Sequence, residues 1–461
     1  MSKGNAPLKV AFVHPDLGIG GAERLVVDAA MGIQSKGHIV TMYTSHHDPN
    51  HCFDETRNGM LRVCVIGNFL PRSLFGRFYI VFAVLRQLAL VIWLLFHEKN
   101  TYDVIFLDQL SSCIPLLKWF SSTKVLFYGH FPDAFLSKRE SILKKLYRLP
   151  FDKMEEVTTN MADTIAVNSQ FSASMFNKAF SSGLKQATVL YPPINFACYD
   201  NSVDMSDPTV KLIETNKKII VSINRFERKK NIELALRAFA LLEKNNLLPK
   251  DDFQQNYRLV LAGGYDKRVV ENVEYLKELD TLATKIFGLK TFTIYPSPGI
   301  QQQHVPEDAQ VVFLCSFNDA QRTYLLNRSI VLLYTPSNEH FGIVPIEAMY
   351  TRLPVIATNS GGPLETVIDK VTGFNLPPEP EKWAEGIKDL TLGKYDRAKM
   401  GEVGREYVKS KFSLEAFSDQ LEDMMVQLVS TPNDHHFGGP LAFILVVVFG
   451  LLSAFIYSYF Q

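Results

Sequence analysis

The chain has 461 residues, with 48 Lys plus Arg against 48 Asp plus Glu. That length is too great for one core of about 150 residues, so at least two α/β-sized domains are expected. The balanced charge excludes both a global basic field for nucleic acid and an acidic tail, so any anion recognition must be local.

The N-terminus has an apolar run too short for a signal-peptide core before His14 and Pro15. Strand and helix then alternate. LKVAFVHP reads as a buried strand, DLGIGG as a glycine-rich turn, and AERLVVDAAMGIQSK as a helix ended by Gly37. HIVTMYTS, YDVIFLDQ, KVLFYGHF and TIAVNSQ follow as further strands. Such alternation predicts a parallel sheet with crossover helices. Cys52, Cys64, Cys113, Cys198 and Cys315 are odd in number and form no C-x-x-C, so neither a disulfide framework nor a zinc site is expected. A reducing compartment suits them.

Between the second and third of these strands lies an apolar stretch, residues 78–96, long enough to span a bilayer but carrying Arg86 and Gln87 at its middle. A true crossing there would separate neighbours of one sheet. The expectation is therefore a helix buried in the domain or lying partly in the near leaflet.

Beyond VLYPPINFACYD the alternation restarts with KKIIVSINR, the helix NIELALRAFALLEK and the strand YRLVLAGG, then TFTIY, SIVLLYTP and PVIATNS. A second doubly wound domain is predicted, giving boundaries of 1–205 and 206–430. Residues 296–310, rich in Pro and Gln, read as an inserted surface loop. Residues 441–460 contain no charge and as a helix would cover roughly 30 Å, so 437–461 is expected to be a membrane anchor.

Three segments carry candidate chemistry. The turn at Gly20 and Gly21 precedes a helix, where free N–H groups favour a phosphate, although tight strand-to-helix packing explains glycine there equally. Arg225 to Lys230 follow the first strand of the second domain, at the sheet edge where ligands bind. They either grip a diphosphate or form a solvated charge run. In SNEHFGIVPIEAM, Glu339 and Glu347 lie eight residues apart, one on a loop and one on the following helix. Two carboxylates suit a ligand with two polyol parts, such as a sugar and a ribose, while backbone N–H groups at Phe341, Gly342 and Ile343 remain for phosphate oxygens.

Taken with HPDLGIGGAERL, FYGHFPD, VNSQF, SINRFERKKN, LAGGYD, YTPSNEHFGIVPIEAMY and NSGGPLETV, these residues resemble the retaining glycosyltransferases of the GT-B fold that carry an E-x7-E signature. Within that GT4-like group the nearest likeness is to the eukaryotic dolichol-pathway α-1,3/1,6-mannosyltransferases, and it covers nearly the whole chain before the tail. The resemblance implies two Rossmann-like doubly wound domains facing a cleft, an N-terminal acceptor domain and a C-terminal nucleotide-sugar donor domain. It also implies that at least one helix within 381–430 returns to the first domain.

By the same resemblance, Glu339 holds hydroxyls of the donor sugar and Glu347 the ribose. Arg225 and Lys230 grip the diphosphate with backbone at Gly20, Gly21, Phe341, Gly342 and Ile343, and His130 lies near the transferred sugar. The implied donor is GDP-mannose and the implied acceptor a dolichyl-diphosphate oligosaccharide, at the endoplasmic reticulum membrane with the catalytic domains facing the cytosol. Other mannosyltransferases of the same pathway are implied partners; nucleic acid is not. No D-x-D occurs, so no cofactor and no metal is expected, with Arg and Lys supplying the charge. Lys138, Arg139, Lys144, Lys145 and Arg148 alternate with apolar residues, a pattern that suits anionic headgroups or an ordinary surface helix. The competing readings are a GT-B enzyme with another lipid acceptor, such as a phosphoinositide, and a non-catalytic nucleotide-sugar-binding scaffold.

Overall fold

A computed structural model describes residues 6–73, 78–136, 142–200, 202–295 and 304–432. The expected anchor at 437–461, Lys138, Arg139 and residues 296–303 lie outside the described residues. The chain forms two compact units, Met1–Pro193 with Leu414–Gln461, and Ile194–Ser413.

In the first unit, short β-branched and aromatic runs form seven strands: β1 (Lys9–His14), β2 (Ile39–Thr44), β3 (Val63–Val65), β4 (Val104–Asp108), β5 (Lys124–Gly129), β6 (Thr164–Val167) and β7 (Ala187–Val189). They build a sheet of order β3-β2-β1-β4-β5-β6-β7, with every paired register parallel. Strands buried on both faces need apolar residues at successive positions, which VAFV and VIFL supply. All strand C-termini therefore meet one edge of the sheet, bringing His14, Asp108 and His130 together.

The second unit repeats the plan with β8 (Lys218–Ile223), β9 (Tyr257–Gly263), β10 (Thr291–Ile294), β11 (Val311–Cys315), β12 (Ser329–Tyr334), β13 (Val355–Thr358) and β14 (Gly373–Leu376). The order is β10-β11-β9-β8-β12-β13-β14. Two doubly wound parallel sheets are thus present, as the alternation predicts. The short strands β3, β7 and β14, and the fully buried β11, are additions to the strands named from sequence.

The division between the units falls at Pro193 rather than at 205, and the helix Leu414–Ser430 belongs to the first unit, so the second ends before 430 and one helix of 381–430 returns to the first domain as the resemblance implies. The reason is its apolar stripe: Phe417, Leu421, Met425 and Leu428 enter the core beside the helix Gly21–Ser35. Each such burial contributes about 1.5–3 kcal/mol. Gly32 makes the close crossing possible, since a Cβ there would overlap the Ser418 hydroxyl.

The apolar stretch at 78–96 forms the helix Tyr79–His97, the one helix among the described residues long and apolar enough to cross a membrane. Its polar centre is satisfied inside the unit. Arg86 Nη2 donates to the Ser45 carbonyl at 2.9 Å, and Gln87 Nε2 to the Leu110 carbonyl at 2.8 Å. The helix buries Val81, Val84, Leu90, Val91 and Leu94 while exposing Tyr79, Ile92 and Phe96.

Residues 304–310 correct the reading of 296–310 as a loose surface loop. Val305, Ala309 and Gln310 are buried. Arg258, itself buried on β9, donates to the carbonyls of Ala309 (3.0 Å), Pro306 (2.8 Å) and Glu307 (3.3 Å), and the segment leads directly into β11.

Candidate active site

In the second unit the candidate residues stand beyond the C-terminal ends of β8 and β12, where parallel strands leave room for loops. Lys230 closes a short 3-10 turn, Arg228–Lys230, after β8. Its backbone carbonyl accepts the Thr335 hydroxyl at 2.7 Å, which ties it to the end of β12. Its Nζ lies 2.7 Å from Glu339 Oε1. The Tyr334 hydroxyl completes the cluster, donating to Glu339 Oε2 at 3.4 Å. Burial and the adjacent Glu339 carboxylate both push the Tyr334 phenol well above its ordinary range, so it remains a donor.

Glu347 lies one helix turn deeper, buried on Ile343–Tyr350. Arg322 Nη1 donates to its Oε1 at 3.2 Å, and the Arg322 guanidinium rests over Phe317, 5.5 Å from the ring centroid. Burial opposes the charge on Arg322 most strongly, but Glu347, Tyr199 and Asp319 together outweigh it and leave the guanidinium pKa raised. Arg225 stands apart from these clusters. Its side chain is 61% exposed and pairs with Glu227 at 3.0 Å, an arrangement open to exchange with a ligand anion.

Glycine explains how the loops approach one another. Gly342 takes φ +92°, a left-handed conformation that opens the helix Ile343–Tyr350. Gly361 (φ +69°) and Gly362 pack directly on the backbone of Asn338 to Phe341, and the Gly362 N–H donates to the Glu339 carbonyl at 2.7 Å. This pair braces the carboxylate loop from behind.

In the first unit, Gly20 is extended (φ −160°) and Gly21 begins the helix Gly21–Ser35. Neither is left-handed, and a Cβ at Gly21 would meet open space, so only at Gly20 does a close neighbour, the Glu23 carboxylate, favour glycine. The Glu23 side chain folds back onto Gly20, at the positive end of that helix. Across the sheet edge, Asp108 is wholly buried between two histidines. His14 Nδ1 donates to Oδ2 at 2.8 Å, and His130 Nε2 lies 2.8 Å from Oδ1 as an ion pair without an aligned N–H. Burial disfavours the carboxylate charge, yet His130 and His14 hold Asp108 well below the usual carboxylate range. Burial likewise opposes the charge on His130, and Asp108 reverses it, so the imidazole pKa is raised.

The basic amphipathic segment is only partly as expected. On the helix Ile142–Asn160, Ile142, Leu146 and Leu149 are exposed and Lys145 is exposed beside them. Arg148 is a correction: it is buried, and its Nη2 reaches Asp152 at 3.4 Å and Asp133 at 3.6 Å, so it braces the fold rather than offering a surface cation. The backbone at Lys144 continues the helix.

Residues 19–197 match the domain Glycosyltransferase Family 4, and residues 206–296 and 301–407 match Glycosyl transferases group 1. An alpha-1,3/1,6-mannosyltransferase ALG2 from Rhizomucor pusillus is 63% identical over 97% of this chain and 97% of its own length. The human and Saccharomyces cerevisiae ALG2 proteins are 45% and 44% identical, over 91% of this chain and 96% and 85% of theirs. The chain belongs to the alpha-1,3/1,6-mannosyltransferase ALG2 family. It is a glycosyltransferase of the GT-B fold and a mannosyltransferase. Among solved structures, sucrose-phosphate synthase from Thermosynechococcus elongatus superposes with a TM-score of 0.67 at 20% identity, covering 91% of this chain and 99% of its own. That likeness speaks for the fold alone.

Beside the candidate residues the structure places others that the motifs did not single out: Tyr334 and Arg322 in the second unit, and Glu23, His14 and Asp108 in the first. A signal existed for the last two. Each is a polar residue closing an otherwise apolar buried strand, in KVAFVH and VIFLD.

Proposed function

We propose that the protein transfers mannose, with retention of configuration, from GDP-mannose to dolichyl-diphosphate-GlcNAc2-Man, forming the α-1,3 and α-1,6 branches at the cytosolic face of the endoplasmic reticulum. The observation that carries this reading is the near full-length identity to ALG2 proteins, together with the Lys230–Glu339 pair at 2.7 Å. In the free enzyme each side chain of that pair serves as the other's counterion. When donor binds, Lys230 and Arg225 turn to the diphosphate, and Glu339 accepts the sugar hydroxyls it is released to take. Glu347, oriented by Arg322, holds the ribose. In the second unit backbone N–H groups at Phe341, Gly342 and Ile343, at a helix start, receive phosphate oxygens; in the first, Gly20 and Gly21 offer backbone N–H groups of the same kind.

Charge developing on the leaving diphosphate is met by Lys230 and Arg225, fixed before the reaction starts, so turnover needs no metal. Exposed Ile142, Lys145, Leu146 and Leu149 provide an apolar-basic face for anionic lipid headgroups. Purified protein incubated with labelled GDP-mannose and the dolichyl-diphosphate acceptor in EDTA should extend the acceptor by both linkages. No transfer overturns the activity; transfer restored only by added metal overturns metal independence. Transfer to phosphatidylinositol in place of the dolichyl acceptor assigns a different lipid substrate.

A further inference from the structure

Three strand ends of the first sheet converge on one buried carboxylate. Asp108 closes β4, His14 closes β1 and His130 follows β5, and the exposures of Asp108 and His14 are 0% and 1%. Desolvation of a buried carboxylate is offset only by hydrogen bonds and a charged partner. His130 is that partner. Its Nε2 is turned inward to Asp108 Oδ1, and Nδ1 is the nitrogen left without a protein partner among the described residues. The ring makes an edge contact with Tyr128, 5.1 Å between centroids, and the backbone beneath it is tied by the Ser172 hydroxyl, which donates to the His130 carbonyl at 3.1 Å.

We propose that Asp108 and His14 are positioning residues for the transfer reaction: Asp108 fixes His130 as an imidazolium with Nδ1–H directed to a substrate oxygen, and His14 sets how much of the Asp108 charge His130 receives. This rests on the mannosyltransferase reading above. Asp108 and His14 are too buried to touch substrate themselves. The groups facing His130 are Asp108 from β4, with His14 from β1 behind it, Tyr128 from β5 and Glu23 from the helix Gly21–Ser35. Asp108 and Glu23 both favour the charged ring, and Tyr128 is held neutral by burial. The fixed cation requires no proton transfer in the reaction. It stabilises negative charge on oxygen through one N–H donor, as a backbone donor does elsewhere.

The two positions predict shifts of opposite sign, which a purely structural role does not. Asp108→Asn keeps the shape and removes the charge. The alkaline limb of kcat/KM should move down by about one pH unit or more, because an opposite charge at this distance raises a pKa by that order. At neutral pH kcat should fall about 10- to 100-fold, with donor KM within about twofold. His14→Phe removes the competing donor and should move the same limb upward. The His130 imidazole, followed by NMR in histidine-labelled full-length protein, should titrate above the ordinary value of about 6.5 in the wild type and shift with the limb in each variant.

An unmoved limb in folded Asp108→Asn, or shifts of the same sign in both variants, overturns the proposal. Should Asp108→Asn fail to fold, His14→Phe alone decides by the sign of its shift. If the wild type transfers no mannose, the functional reading fails while the NMR titration still tests the Asp108–His130 coupling.

Discussion

The two sheets deliver charge to equivalent edges in opposite ways. In the first unit the charge is sealed: Asp108 is wholly buried and both carboxylate oxygens are engaged by protein. In the second, Lys230 and Glu339 pair at 2.7 Å with side-chain exposures of 12% and 29%, and Arg225 is more open still. A sealed network resists exchange and fixes geometry, whereas a half-exposed pair holds two ligand-binding groups ready at little cost. The difference separates residues that orient from residues that bind.

The sharpest break of this comparison is at the exposed pair. Glu339→Gln should lower mannose transfer about 10³-fold, and Lys230→Ala about 10²- to 10³-fold, with far-UV circular dichroism and melting temperature nearly unchanged. Activity in either within about twofold of wild type would remove that residue from the donor role. Next, Gly362→Ala should cost transfer more than about tenfold, because a Cβ there overlaps the Phe341 backbone and displaces the Glu339 loop.

Stability should show the reverse ranking. Asp108→Ala leaves two inward-facing histidines without a counterion and should destabilise the first unit by about 3–5 kcal/mol in urea unfolding, against about 1 kcal/mol or less for Lys230→Ala in the second. The Asp108 contribution has a defined pH window. Its folded pKa is depressed, so the stabilisation is fully present above the unfolded value of about 3.8 and is lost as pH falls through the lower folded value.

The smallest effect concerns Glu155, pushed up to about 8 by burial and by Asp133, with Oε2 unpartnered. A raised carboxyl pKa makes the native state bind the extra proton, so stability is lost as pH rises from the unfolded value of about 4.5 through about 8. Glu155→Gln should therefore raise the melting temperature by about 2–4 °C at pH 8 and leave it unchanged at pH 4.

Much of the fold was written in short apolar runs. KVAFVH, VIFLD and KIIVSI are strands because buried parallel strands demand unbroken apolar sequence, and the glycine, proline and glutamate spacing of SNEHFGIVPIEAM marked a loop followed by a helix, as found. Two kinds of information were not local. Arg148 looks like its exposed neighbour Lys145, and only the folded placement of Asp133 and Asp152 distinguishes a brace from a free cation. Arg258 likewise gives no sign in YRLVLAG that it clamps carbonyls about fifty residues away. VVFLC was readable as a strand, but its proline- and glutamine-rich approach obscured it. Helix Leu414–Ser430 carried a clear apolar stripe, and a stripe does not say which core it will enter.

The helix Tyr79–His97 has a consequence for biogenesis. By length and composition alone it would pass as a membrane span. Gln87 finds its partners at Leu110 and Ser112, some 25 residues downstream, so its polar side chain stays unsatisfied until that stretch has emerged from the ribosome. Arg86, by contrast, binds Ser45 and Asn68, already synthesised. An arginine at the centre of an apolar helix disfavours insertion, and the folded partners of Arg86 all precede it in the chain, so burial in the sheet domain offers it what a bilayer would not.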